Sequence, residues 1–157
     1  MNGLIQVLTG ALGSFGFGVL FNLRGKKLGI ITLGGLISWS VFLLLERWVP
    51  GEPARYFLSM TAISVYAEVF ARVEKTPTTT FLVPCVIPLI PGSALYYTMN
   101  YALKEQWDLF LQKAFYTLEL ALALALGIIA VTTVTRLLTL LLRHLQKRKE
   151  KHFHHSI

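Results

Sequence analysis

The chain reads as an all-α integral membrane protein with five transmembrane helices. The fourth is broken by prolines, the N-terminus lies outside and the C-terminus is cytoplasmic. Three observations carry this. Of 157 residues 54% are apolar and only 15% charged, and the charges are clustered. The basic residues fall unevenly on the two sides that the spans define. One apolar segment is crowded with prolines. A hydrophobic run of about 18 residues or more is long enough to cross a bilayer. Runs free of Asp, Glu, Lys and Arg cover Met1–Leu23, Leu28–Leu45, Tyr56–Ala67, Thr76–Leu103 and Leu120–Thr135. Admitting Glu68 and Arg136 near the ends of two of them, the predicted spans are 3–23, 28–46, 55–72, 78–102 and 114–141. They make up a membrane domain over 1–142, followed by a basic cytoplasmic tail over 143–157.

The first span is expected to be a true span and not a signal peptide. No basic stretch precedes it, and its apolar run exceeds the usual h-region. Gly10, Ser14 and Gly18 recur every four residues, a spacing that lets helix backbones approach closely in a membrane. Gly34 and Ser38 repeat the theme in the second span. The fifth carries Ala121 with Ala125, and a parallel row at Ala123 and Gly127. The first loop, Asn22–Lys27, is short and basic, and Pro50-Gly51 marks a turn in the second. Trp48 and Trp107 fall where an aromatic belt anchors helices at the headgroups.

Orientation follows from lysine and arginine. One side carries ten of them: Arg24, Lys26, Lys27, Arg72, Lys75, Arg143, Lys147, Arg148, Lys149 and Lys151. The other carries four: Arg47, Arg55, Lys104 and Lys113. Basic loops stay cytoplasmic. The net charge of +7 is then explained by topology and by anionic lipid headgroups. No aromatic-and-basic module that reads nucleic acid is present.

In the third span Thr61, Ser64, Glu68 and Arg72 share one helical face. Ionisable groups inside spans are rare and mark function. Glu68 reads either as a proton-carrying or gating carboxylate or as the partner of Arg72 in a four-residue ion pair. Glu119 and Arg136 lie 17 residues apart, roughly 25 Å along a helix, and read as interfacial anchors.

The fourth span holds Pro84, Pro88 and Pro91, followed by Gly92. Each proline removes a backbone donor and crowds the carbonyl four residues back. Broken backbone at membrane depth survives only where protein buries it or a cavity faces it. Such interrupted segments point to the binding site of a small-solute transporter. A break from about Pro84 to Gly92 leaves a new half-helix whose first N–H groups, at Gly92, Ser93 and Ala94, favour a carboxylate. Tyr96 follows, and the Thr61–Glu68 face of the third span is the expected neighbour, so Gly92, Ser93, Ala94, Tyr96, Thr61 and Ser64 are the candidate substrate contacts.

Ala67-Glu-Val-Phe-Ala-Arg72, Pro77, Phe81-Leu-Val-Pro84 and Ile87-Pro-Leu-Ile-Pro-Gly92, with Tyr96 beyond, resemble the threonine/serine exporter family. Phe15-Gly-Phe-Gly and Phe21-Asn22 resemble that family's start. The match is to its short five-span half, which in many bacteria is a separate small subunit. The resemblance implies a bacterial plasma membrane location and a larger five-span partner subunit. It also implies proton-coupled export of threonine and serine, or of a dicarboxylate such as succinate.

Two other classes were weighed. An enzyme is not expected: the four histidines all lie at or beyond His144, no span contains Asp, and a serine nucleophile needs a base within reach. No cofactor or metal is expected, and His152-Phe-His-His155 reads as a surface cluster. Cys85, the lone cysteine, reads as a small apolar packing residue. A structural or assembly subunit without its own solute site is the stronger rival.

Overall fold

A computed structural model describes the backbone of residues 3–154 and the side chains of 3–141. It is all helical. α1 is Gly3–Leu20, α2 Lys26–Leu45, α3 Glu52–Val73, α4 Thr79–Val86, α5 Gly92–Leu103 and α6 Trp107–His154, with a 3-10 turn at Ile87–Leu89 before α5. α1, α2 and the Trp107–Leu141 part of α6 are each long and apolar enough to cross a membrane. The bent pair Thr79–Leu89 and Gly92–Leu103 passes the same test when taken together, as a broken span or a re-entrant loop, which makes up to four crossings by length and composition among the described residues.

Helix ends follow a common device. Asn22, Lys75 and Glu105 adopt positive φ just after α1, α3 and α5. The next residue's N–H then reaches back five residues: Leu23 to Gly18, Thr76 to Ala71 and Gln106 to Tyr101, each at 3.0 Å. This left-handed cap satisfies carbonyls that the helix end would leave open. The predicted loops coincide with these stops.

Small residues decide which helices touch. On α1 the buried positions are Ala11, Ser14 and Gly18. On α2, Gly35 packs against Ser14, and a Cβ there would also sit 3.1 Å from the Gly10 carbonyl. Of the two rows in α6, Ala123 and Gly127 are buried while Ala121 and Ala125 are exposed. Gly127 meets the backbone of α3, where a Cβ would lie 3.0 Å from the Phe57 carbonyl. Without water to drive apolar faces together, such close backbone contact is what membrane helices gain by packing.

α3, which covers the predicted third span, is not among the helices long and apolar enough to cross a membrane by length and composition, yet it is the centre of the bundle. It buries Tyr56, Ser59, Met60, Ile63, Ser64, Ala67 and Ala71 and packs against α2, α4 and α6. Tyr66 donates to the Ile30 carbonyl at 2.7 Å. α3 and α6 run parallel: Glu52 pairs with Tyr116, Met60 meets Gly127, and Glu68 shares a cavity with Thr132–Leu140. The outer surface is apolar, with Leu118, Leu122, Leu126 and Ile129 of α6 all exposed.

Trp48 and Trp107 are exposed at one end of the bundle. Nearby, Arg55 lies over the Phe42 ring and 3.7 Å from Glu46, and Lys113 lies over Tyr116. The other end is basic. α6 continues as helix through His154, so the predicted tail leaves the span without a break in the backbone. His155 of the predicted surface cluster lies outside the described residues.

Candidate functional site

The proline segment breaks later than the prolines alone suggest. Pro84 lies inside α4 and is buried. One absent donor costs a helix a single bond, and the flanking turns carry the chain through it. The turn tightens at Ile87–Leu89, where Ile90 donates to Ile87 at 3.2 Å. The direction changes at Ile90–Pro91, and α4 and α5 meet at 62°. The predicted break from Pro84 is thereby shortened to the last two residues before Gly92.

Gly92 N–H is taken by the Ile90 carbonyl at 2.7 Å, so the free first-turn donors are those of Ser93 and Ala94. Gly92, Ser93 and Tyr96 are exposed, whereas Ala94 is buried in the core. α5 packs on α6, and Thr98 and Thr117 share a hydrogen bond at 3.1 Å. Thr61 bonds its own helix at Phe57, and Ser64 is buried without a hydrogen-bond partner among the described residues. Gly92–Tyr96 and the Thr61–Ser64 face thus lie on helices that share no extensive contact.

Two cavities flank these elements. One, of about 260 Å3, sits against the break and is lined by Gln6, Thr9, Gly10 and Gly13 of α1, Trp39 of α2, and Ile87 and Pro88. Trp39 Nε1–H donates to Gln6 Oε1 at 3.2 Å. Gly10 admits the Pro88 ring, whose Cβ would be 3.3 Å from a Cβ there. The other, of about 810 Å3, lies at the basic end between α3 and α6. It is lined by Glu68, Thr132, Thr133, Thr135, Arg136, Leu137, Thr139 and Leu140. Glu68 is paired with Arg72 at 3.2 Å, and its side chain is 13% exposed against 55% for Arg72. Arg72 also donates to the Glu68 carbonyl. Among the described residues no group of three His, Cys, Asp or Glu could hold a metal ion.

The family model described as threonine/serine exporter, ThrE, matches residues 6–134. The chain belongs to the threonine/serine exporter family. The match begins at Gln6 and ends within the threonine cluster of α6, so it takes in the proline break and Glu68. No curated protein and no solved structure matches the chain. This family member is thus a membrane-embedded protein of a small-solute transporter family.

Sequence reasoning missed Gln6, Thr9 and Trp39, and it placed Arg136 at an interface as an anchor. The available signals were Gln6 as an amide set among apolar residues near the start of the first span, and Thr132-Thr-Val-Thr135 as a polar run in the last.

Proposed function

We propose that this chain is the five-span subunit of a secondary transporter that exports small carboxylate-bearing metabolites. The solute is threonine or serine, or a dicarboxylate such as succinate, and export is coupled to protons. The subunit works with a larger five-span subunit in the bacterial plasma membrane. α3 is the further crossing, its polar groups sheltered by neighbouring helices, with the N-terminus outside. The observation that carries this reading is the 62° break beside a cavity in a chain of this family. Interrupted helices at membrane depth serve solute paths. Ser93 and Ala94 N–H groups receive a carboxylate, with Gly92 giving it access and Tyr96, Thr61 and Ser64 bordering the path as α5 moves. Glu68 and Arg72 form the coupling or gating pair, and Pro88 and Pro91 hold the broken geometry.

Cells producing both subunits, loaded with threonine, serine or succinate, test this by efflux. Glu68→Gln and Gly92→Leu each slow export while the complex assembles. Wild-type rates in both variants sink the transport-site reading. They favour an assembly subunit instead, a reading supported by the exposure of Gly92, Ser93 and Tyr96.

A further inference from the structure

Thr132, Thr135, Arg136 and Thr139 recur at the spacing that puts residues on one face of a helix. They border the cleft between α6 and Glu68 of α3. The extensive contacts of α6 are with α3 and α5 alone. Thr132, Arg136, Leu137 and Leu140 are exposed, and in a bilayer lipid lies against them. The cleft is near the headgroup layer, because α3 ends at Val73, about 7.5 Å along the helix beyond Glu68.

The cleft holds a spare cation and spare donors. Glu68 is neutralised by Arg72 at 3.2 Å. Arg136 has no carboxylate within salt-bridge distance among the described residues, so its charge is uncompensated. A guanidinium offers only donors. A threonine in a helix commonly turns its hydroxyl back to the carbonyl of the preceding turn. Thr132 does so to Ile128 and Ile129, and Thr139 to Thr135. The Thr135 hydroxyl makes no such bond among the described residues, so its proton is open. The group that fits these donors accepts hydrogen bonds only and carries a single negative charge, as a phosphodiester does. Towards the bilayer centre, Ile129 and Leu122 follow Arg136 at seven-residue steps on the same side of α6, and both are exposed. They form an apolar strip that leads away from the guanidinium.

We propose that this cleft binds an anionic phospholipid of the leaflet at the basic end. Its phosphodiester is held by the Arg136 guanidinium and the Thr135 hydroxyl, and an acyl chain lies along Ile129 and Leu122. The inference goes beyond the export reading and does not need it. A free phosphate would leave the apolar strip unused and bring more charge than Arg136 balances. A zwitterionic lipid returns a cation beside the guanidinium, where like charges repel. Basic pockets between membrane helices are known to take anionic head groups.

The full chain in neutral detergent, titrated with phosphatidylglycerol and followed by native mass spectrometry, tests this by counting bound lipids. One phosphatidylglycerol is held more tightly than the rest, phosphatidylcholine is not, and excess inorganic phosphate does not displace it. Arg136→Gln weakens this first binding about tenfold or more, as loss of a charge-assisted hydrogen bond requires. Thr135→Val keeps the side-chain shape and weakens it about fivefold, and it carries the test where Arg136→Gln does not stay folded. Lys147→Gln with Arg148→Gln reduces the general attraction of the basic tail for anionic lipid and leaves the first binding unchanged. First binding that withstands Arg136→Gln or Thr135→Val, that disappears with the tail variant, or that phosphatidylcholine matches overturns the proposal. Displacement by inorganic phosphate assigns the cleft to a soluble anion and overturns it as well.

Discussion

The thiol of Cys85 occupies the space that a side chain at position 34 would need. A Cβ built on Gly34 overlaps Cys85 Sγ and comes to 3.2 Å from Cys85 Cβ and 3.0 Å from Tyr66 Cε1. Carbon atoms pack best at about 3.5–4.0 Å, so all three contacts are too close. The tyrosine cannot simply swing away, because its hydroxyl is bonded to the Ile30 carbonyl. Gly34→Ala therefore overpacks the junction of α2, α3 and α4, and three such contacts put the cost at the upper end of the overpacking range, about 2–3 kcal/mol. Better helix propensity returns about 1 kcal/mol. The net loss of roughly 1–2 kcal/mol lowers the unfolding temperature by about 2–8 °C. Cys85→Ala alone leaves a small void and costs about 1 kcal/mol. Together the two changes move a methyl-sized group across the contact, so the double variant is more stable than the sum of the singles by about 1–2 kcal/mol. Tryptophan fluorescence during heating in detergent reads this, with Trp39 stacked on Phe42 in the same bundle. If Gly34→Ala melts with the wild type, or if the two losses simply add, the packing argument is wrong.

Removing the Tyr116 hydroxyl with Tyr116→Phe leaves the partly buried Glu52 without its donor and lowers stability by about 1–3 kcal/mol, again read by thermal melting. Gly127→Leu drives a side chain into the Phe57 carbonyl and Met60; size-exclusion profiles should show loss of the folded monodisperse species, and a profile like the wild type would contradict the close α3–α6 contact. Pro91→Ala restores an N–H at the break and loosens it, so export falls while the melting temperature holds. A drop in both together would mean that the bend is a packing feature only.

Much of the fold was legible because lipid imposes a simple rule on composition. Charges and turn residues at Arg24–Lys27, Pro50–Pro53 and Lys75–Pro77 mark the loops, and the four-residue spacing at Gly10, Ser14 and Gly18 pointed to a close helix contact whose partner, α2, only the structure names. α3 was legible for another reason, the grouping of its polar residues on one face. What the chain order hides is which helix faces which. Ala121–Ala125 and Ala123–Gly127 are equally small rows, and only contact with Met60 and Phe57 selects the second. Glu68 and Arg136 are far apart in sequence and line one cavity because α3 and α6 are parallel. The Gln6–Trp39 bond has no periodic signature at all. Pro84 misled because a proline's local penalty was read as a break, although the surrounding helix turns bridge it.

The bend also has a mechanical consequence, because its two arms are mounted on different partners. α4 is held by α1, α2 and α3, while α5 is held by α6. α5 spans about 18 Å, so a change of about ten degrees in the angle carries its far end roughly 3 Å. α5 is tied to α6 by the Thr98–Thr117 bond, and α6 is tied to α3 both at Tyr116–Glu52 and at Gly127. α3 thus touches α4 and α6 alike and braces both arms of the bend, so the angle at the break cannot change without straining the packing of that central helix.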